Sequence, residues 1–136
     1  MIKLIVGLKG TGKTKHLIEL ANRSVETSPG NVVCIERGNK LIFDIRHQVR
    51  LVDTDVYSIK TAGELYGLVC GILAANFDIK DMYIDSALKI CGDKMDEFEK
   101  FVYRLEELAA KFEVNIVMTS SVSVEDLPEA LKKYII

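Results

Sequence analysis

The residues with the clearest chemical meaning lie between Gly7 and Thr14, where the chain reads Gly-Leu-Lys-Gly-Thr-Gly-Lys-Thr. A glycine, four free positions and then Gly-Lys-Thr is the spacing of a phosphate-binding loop. Glycines let successive backbone N–H groups turn towards a phosphate, because a Cβ atom would block the turn or the approach. We therefore expect Lys13 to reach the terminal phosphates of a nucleotide and the Thr14 hydroxyl to be a ligand of Mg²⁺.

The sequence on either side of this loop fits the same interpretation. Met1–Val6 is apolar and β-branched, as in a strand, and apolar residues recur at helical spacing after the loop. A strand, a glycine loop and a helix in this order is the context that the motif needs. The alternative is a glycine-rich turn followed by an unrelated lysine. The remaining candidates for phosphate contact lie in or beside the loop: Gly7, Lys9, Gly10, Thr11, Gly12 and Lys15.

Polar side chains also end three other apolar runs. Glu36 and Asp85 each close a run that is typical of a buried strand, and Thr119 and Ser120 follow a third. In parallel sheets, ligands bind outside the carboxyl ends of the strands. These four residues are therefore the next candidates for the site.

Asp85 is the strongest of these four. A carboxylate at the end of an apolar strand could hold Mg²⁺ beside the Thr14 hydroxyl, directly or through water. The alternative is an ordinary aspartate that caps the N-terminus of the next helix. The glycine loop favours the metal-binding role.

The other three strand-end residues leave alternatives open. Glu36 could orient or deprotonate an attacking water near the γ-phosphate, or it could be a solvated loop residue. Thr119 or Ser120 could donate a hydrogen bond to the γ-phosphate or to that water, although hydroxyls also serve simply to end a strand.

The alternation of apolar runs with amphipathic stretches predicts one α/β domain over residues 1–136 with a mainly parallel sheet. Ile2–Val6 and Met82–Asp85 are apolar without alternation, so we expect both at the centre of the sheet. Further strands are expected at Asn31–Glu36 and at Val114–Met118. The pattern between residues 41 and 59 is less regular, with short strands expected at 41–43 and 49–52, one of them on an edge.

Helices are expected over about Lys13–Val25, after a capping box at Thr61–Glu64, over Met95–Phe112 and from Glu125 to about Tyr134. The third of these carries an apolar seam with alternating spacings of three and four residues. With fewer than three heptads, such a seam indicates a helix that packs on its own sheet rather than a coiled coil.

Composition narrows the class of protein. The 136 residues are 49% hydrophobic, contain two prolines and carry a net charge of −2, which indicates a packed globular chain without a basic surface for nucleic acid. There is no apolar run of 18 residues and no room for a signal sequence before the loop. Cys34, Cys70 and Cys91 lack metal-ligand spacing, so we expect buried thiols in a reducing cytoplasm.

These features together resemble the RecA-like branch of P-loop NTPases. The chain is also similar to small bacterial proteins labelled ATP-binding or twitching motility ATPase, through its Tyr83-Ile84-Asp85 strand and its tail from Pro128 to Ile135. Secretion motors of the twitching type are much longer, so that label is not carried over. The resemblance implies a three-layer P-loop NTPase fold that binds ATP and Mg²⁺.

The resemblance also implies a role for individual residues. Gly12, Lys13 and Thr14 would bind the nucleotide phosphates, Asp85 would be the Walker B acid, and Glu36 would be the catalytic glutamate. The chain departs from the pattern because Asp85 is followed by serine rather than by a second carboxylate. It has no Asn-Lys-x-Asp guanine signature, which favours ATP over GTP, and no insertion long enough for a nucleotide-kinase lid.

Three functions from different classes remain open. The first is a slow ATPase assisted by a protein partner or by self-association. The second is an ATP-binding switch module that hydrolyses little. The third is a small-molecule kinase with an acceptor bound over Arg46–Asp55, against which the missing lid counts.

Overall fold

The computed structural model describes all residues from Met1 to Ile136. Five strands form one sheet: β1 (Ile2–Gly7), β2 (Asn31–Glu36), β3 (Arg50–Asp53), β4 (Ile79–Ile84) and β5 (Asn115–Ser121). Four α-helices connect or flank them: α1 (Lys13–Thr27), α2 (Ala62–Ala75), α3 (Ala87–Ile90) and α4 (Met95–Phe112). Two 3₁₀ helices complete the chain, at Thr54–Tyr57 and Glu129–Tyr134.

All neighbouring strands are parallel, in the order β1-β5-β4-β2-β3. Helix α1 packs on one face of the sheet, and α2, α3 and α4 pack on the other. The chain is thus an α/β fold with a parallel sheet between helical layers. The predicted α/β class and parallel sheet are confirmed.

The two faces of the sheet belong to two hydrophobic clusters. In β2, Val33 and Ile35 point into the larger cluster, whereas Val32 and Cys34 point into the smaller cluster under α1. This strand is buried on both sides, which explains why its sequence is continuously apolar. Burial also raises the pKa of the Cys34 thiol above its ordinary value, so this cysteine is a packing residue, as expected.

The predicted central position is confirmed for β4 and is wrong for β1. Strand β4 lies between β5 and β2, but β1 ends the sheet and pairs only with β5 among the five strands. Its outer edge is partly covered by the C-terminal residues, through a parallel bridge between Leu4 and Ile135 and a hydrogen bond from Ile136 N to Leu4 O. Because the C-terminal residues and the helices cover β1, this edge strand has an apolar sequence typical of a central strand.

The connection between β2 and β3 has no regular secondary structure. Parallel neighbours need a crossover of about a dozen residues, usually a helix, and residues 37–49 supply it here as a series of turns. The strand expected at 41–43 is therefore absent: Leu41, Ile45 and Val49 instead pack into the cluster under α1. The expected edge strand near residue 50 is present as β3.

Helix α2 begins at the predicted capping box. The Glu64 backbone N–H donates to Thr61 Oγ1 at 3.1 Å, while the Glu64 carboxylate accepts from the Lys60 N–H, one residue before the cap. At the other end of the chain, the α-helix expected from Glu125 to about Tyr134 is wrong: the structure has a 3₁₀ helix over Glu129–Tyr134, after Pro128, instead. No helix of the chain is both long enough and apolar enough to cross a membrane.

Candidate functional site

The carboxyl ends of β1, β4 and β5 and the N-terminus of α1 surround a polar cleft of about 520 Å³. Most of its lining comes from four stretches of chain: Lys9, Gly10, Gly12, Lys13, Thr14 and Lys15; Lys40 and Leu41; Asp85, Ser86, Leu88, Lys89 and Asp93; Thr119 and Ser121. Five lysines face two aspartates there, so the cleft favours an anionic ligand.

The glycine loop needs its glycines for backbone conformation. Gly10 and Gly12 have φ angles of 85° and 86°, in the left-handed region that side chains disfavour. An added Cβ at either position would meet no atom within 4 Å, so packing does not exclude a side chain there. The backbone path itself therefore selects glycine.

Two side chains fold back onto one carbonyl inside the loop. Thr11 Oγ1 donates to Leu8 O at 2.7 Å, and Lys13 Nζ donates to the same oxygen at 2.9 Å. An added Cβ at Gly7 would lie 2.7 Å from Thr11 Oγ1. Of these predicted phosphate contacts, Gly7 and Thr11 thus shape the loop, while Lys13 lies along its rim.

The N-terminus of α1 carries charges of the sign that destabilises a helix. Gly12 provides no side-chain cap, no acidic residue lies in the first turn, and Lys13 and Lys15 are both there. The positive end of the helix dipole and the two lysines repel each other, at a cost of some tenths of a kcal/mol each. An anion bound at the cleft would convert this repulsion into attraction, because the free N–H groups and both lysines would face it.

Asp85 connects the helix after the glycine loop to the centre of the sheet. The Thr14 hydroxyl donates to Asp85 Oδ1 at 3.1 Å, although the two residues are 71 positions apart. The Thr119 hydroxyl donates to the same oxygen at 2.7 Å and accepts from the Ser86 N–H at 2.7 Å. The carboxylate is thus fixed through Oδ1, and Oδ2 accepts no hydrogen bond from the chain.

The oxygen atoms of Thr14 and Asp85 fit a magnesium ion. Adjacent ligands of an octahedral Mg²⁺ lie about 3.0 Å apart, since each bond is about 2.1 Å, and these two oxygens are 3.1 Å apart. No cluster of three or more His, Cys, Asp or Glu side chains could hold a metal ion alone. A donor set of one carboxylate and one hydroxyl suits a metal whose other ligands are phosphate oxygens and water.

Glu36 does not line the cleft. It is 3% exposed, and its two carboxylate oxygens accept hydrogen bonds from the backbone N–H groups of Lys40 and Leu41 at 3.1 and 3.0 Å. Burial raises the pKa of this carboxyl above its ordinary value, and the two amide donors offset part of that rise. Glu36 is therefore not a solvated loop residue, and its catalytic role stays a prediction that these contacts do not favour.

The hydroxyls at the end of β5 divide between the cleft and the core. Thr119 lines the cleft, but its proton is donated to Asp85 rather than being free for a phosphate. Ser120 is fully buried and its Oγ has no hydrogen-bond partner. Ser121, which the sequence analysis missed, lines the cleft because side chains alternate along a strand. Because Ser121 lies two residues after Thr119, the alternation of side chains along a strand could have predicted its position.

Three charged residues of the cleft were also missed: Lys40, Lys89 and Asp93. Lys40 and Asp93 lie on turns, and Lys89 lies in the four-residue helix α3, which is too short for a periodic pattern to indicate the direction of a side chain. Asp93 has a φ of 58° and is the second carboxylate at the cleft, after Asp85. No spacing rule could have connected it to the glycine loop.

A larger cavity, of about 710 Å³, lies between β3 and α2 and is mostly apolar. It contains none of the predicted site residues. Gln48, Arg50 and Val52 line this cavity rather than the cleft, so the segment proposed above for a kinase acceptor does not border the glycine loop. The polar cleft is the candidate site, since it alone combines the loop with Asp85.

Neither a scan against protein-family models nor a search of curated proteins finds a match for this chain.

Proposed function

We propose that this chain is a cytoplasmic P-loop protein that binds ATP with Mg²⁺ and hydrolyses it slowly. The strongest support is the contact between Thr14 and Asp85, which links the glycine loop to the end of a central strand in an electropositive cleft. A glycine-rich turn with an unrelated lysine would need neither this partner nor an uncompensated positive helix end.

Each part of the cleft has a role in this proposal. The loop amides and the N-terminus of α1 bind the phosphates, with Lys9, Lys13 and Lys15 supplying charge. Thr14 and Asp85 hold Mg²⁺, and Thr119 positions Asp85 by its hydrogen bond. The metal, when bound, neutralises charge that develops on the phosphate oxygens.

Slow hydrolysis follows from the scarcity of groups that could activate water. Asp85 is committed to Thr14 and Thr119, and Glu36 is committed to two backbone amides. Asp93 is the remaining carboxylate at the cleft. We therefore expect an isolated chain to be a weak ATPase, and a protein partner or a second copy to supply what is missing.

The alternative function, a switch module that binds ATP with little hydrolysis, would use the same site. Phosphate release measured with and without an added partner separates it from an assisted ATPase. A small-molecule kinase is less favoured, because Gln48 and Arg50 of the expected acceptor segment face the apolar cavity instead.

The test of nucleotide binding is titration calorimetry with ATP and Mg²⁺ on the intact chain. Lys13→Ala should weaken binding by about 1.5–3 kcal/mol, roughly ten- to a hundred-fold, because a charge-assisted contact to phosphate is lost. Lys100→Ala is the matched control, since this lysine is exposed on α4 and remote from the cleft lining. Equal ATP affinity in wild type and Lys13→Ala would refute the proposal.

A further inference from the structure

The segment that follows β2 leaves the sheet directly beside Asp85. Strands β2 and β4 are neighbours, and the Asp85 N–H continues their pairing by donating to Ile35 O at 2.9 Å. Residues 37–41, which we call the β2 arm, therefore begin next to the proposed metal ligand. Two of them, Lys40 and Leu41, line the cleft.

Two carboxylates hold the β2 arm in place. Asp53, at the end of β3, accepts from the Gly38 N–H at 2.8 Å, and Glu36 accepts from the N–H groups of Lys40 and Leu41. The Leu41 side chain is 4% exposed and anchors the end of the arm in the cluster under α1. Three hydrogen bonds and an apolar anchor thus order a five-residue turn at the rim of the cleft.

The arm presents one cation that the chain leaves without a partner. The Lys40 side chain is exposed, lines the cleft, and takes part in none of the ion pairs or side-chain hydrogen bonds of the structure. Burying a carboxylate such as Glu36 costs free energy unless its hydrogen bonds compensate. Here the buried carboxylate fixes the backbone N–H of the lysine itself.

We propose that Lys40 contacts the terminal phosphate of the bound nucleotide and that Glu36 is the residue that positions it. This inference rests on the proposed function and extends it to how the site senses the nucleotide's state. The glycine loop and α1 bind the phosphates from one wall of the cleft. Lys40 approaches from another wall, beside Asp85, where a third phosphate and its metal lie.

Such a contact exists with ATP and not with ADP, so the two affinities report on it separately. Lys40→Met keeps most of the side-chain length and removes the charge. We expect it to lower the affinity for ATP with Mg²⁺ about ten-fold or more, as for loss of a charge-assisted hydrogen bond, and to change ADP affinity less than about two-fold. Lys40→Arg should keep the preference for ATP.

Two matched lysine variants serve as controls for the effect of Lys40→Met on ATP and ADP affinity. Lys89→Met removes the other cleft lysine that lies outside the glycine loop and α1; this lysine is in α3. Lys100→Met removes an exposed lysine on α4. The proposal requires that the selective loss of ATP affinity follow Lys40→Met and neither of these two.

The positioning role of Glu36 is tested by a double-mutant cycle. Glu36→Gln places an amide donor opposite one of two backbone N–H groups, so it should loosen the arm and reduce the ratio of ATP to ADP affinity. In the Lys40→Met background the same change should leave that ratio unaltered, because the residue acts through the lysine. An equal effect in both backgrounds overturns the positioning role.

The outcomes separate this inference from the function on which it rests. If the wild-type protein binds neither ATP nor ADP, the proposed function and this inference are both refuted. If wild type binds both and Lys40→Met weakens ATP and ADP equally, or neither, the inference alone is overturned. Lys40 is exposed, so its variant keeps this test decisive even if Glu36→Gln fails to fold.

Discussion

Asp85 makes the side-chain hydrogen bonds that connect different elements at the cleft. One of its oxygens takes hydrogen bonds from Thr14 and Thr119, while the other accepts none from the chain. The two hydroxyls come from the start of α1 and from β5, so the carboxylate is held by hydrogen bonds from both elements. In the proposed function, this carboxylate would already be oriented before Mg²⁺ binds.

Replacing Asp85 with asparagine tests this arrangement. Asp85→Asn keeps the shape and one acceptor oxygen but removes the charge that attracts Mg²⁺, so the Mg²⁺ dependence of ATP binding should fall sharply. The measurement is a Mg²⁺ titration at fixed ATP, with Asp81→Asn on the same strand as control. The helix after β4 is capped at Ser86 without a side-chain hydrogen bond, so an unchanged titration would leave Asp85 only the structural role of holding Thr14 and Thr119.

Individual residues differ in how far the sequence predicts them. Thr14 and Asp85 could be predicted as partners, since a motif places one and the end of an apolar strand places the other. Lys40 could not be predicted, because its position depends on a turn that the carboxylates of Glu36 and Asp53 fix. Glu36 was predicted to face the nucleotide, but its contacts with backbone amides could be seen only in the folded chain.

Among the elements, the turn between α1 and β2 is the tightest fit. An added Cβ at Gly30 would lie 2.0 Å from the backbone oxygen of Asp78, which also accepts a hydrogen bond from the Asn31 N–H. Backbone cannot move aside as a flexible side chain can. The residue before β2 therefore has to be glycine.

We expect Gly30→Ala to destabilise the fold by about 1–3 kcal/mol, the usual cost of forced overpacking. Gly67→Ala is the matched control within α2, where an added Cβ meets nothing within 4 Å and should stabilise the helix by about 0.5–1 kcal/mol. Urea denaturation of the two variants measures both changes. A Gly30→Ala protein as stable as wild type would contradict the close approach.

Helices and strands were predicted well where the periodicity of apolar residues determines the structure. They were predicted poorly where the packing of neighbouring elements determines it. Strand β2 begins and ends at the predicted residues, and α1 ends at Thr27, two residues beyond the predicted Val25. The edge position of β1 was missed, since covering by the C-terminal tail leaves no polar trace in its sequence. Apolar residues in the segment 37–49 were read as strand although they pack from turns.

For the whole molecule, the decisive measurement is turnover. With no lid and few free carboxylates, we expect ATP hydrolysis below about 1 s⁻¹, because an arginine supplied in trans is worth about 10³–10⁵ in rate and nothing in the cleft replaces it. Turnover per chain should rise with protein concentration if a second copy assists. Phosphate release across a dilution series measures this.

Two variants refine that measurement. Asp93→Asn should lower turnover if a cleft carboxylate orients the attacking water, whereas Asp96→Asn on α4 should not. Fast hydrolysis that is independent of concentration would contradict the assisted ATPase.

The order of the strands has a consequence for how the chain is made. Strand β1 is synthesised first, yet its partner in the sheet is β5, and the Met1 amino group donates to Val114 O, 113 positions away. The glycine loop follows the end of β1, so its framework stays incomplete until β5 has been synthesised and has paired with β1. Contacts this distant in sequence form slowly. We therefore expect the proposed nucleotide site to form only after β5 has paired with β1.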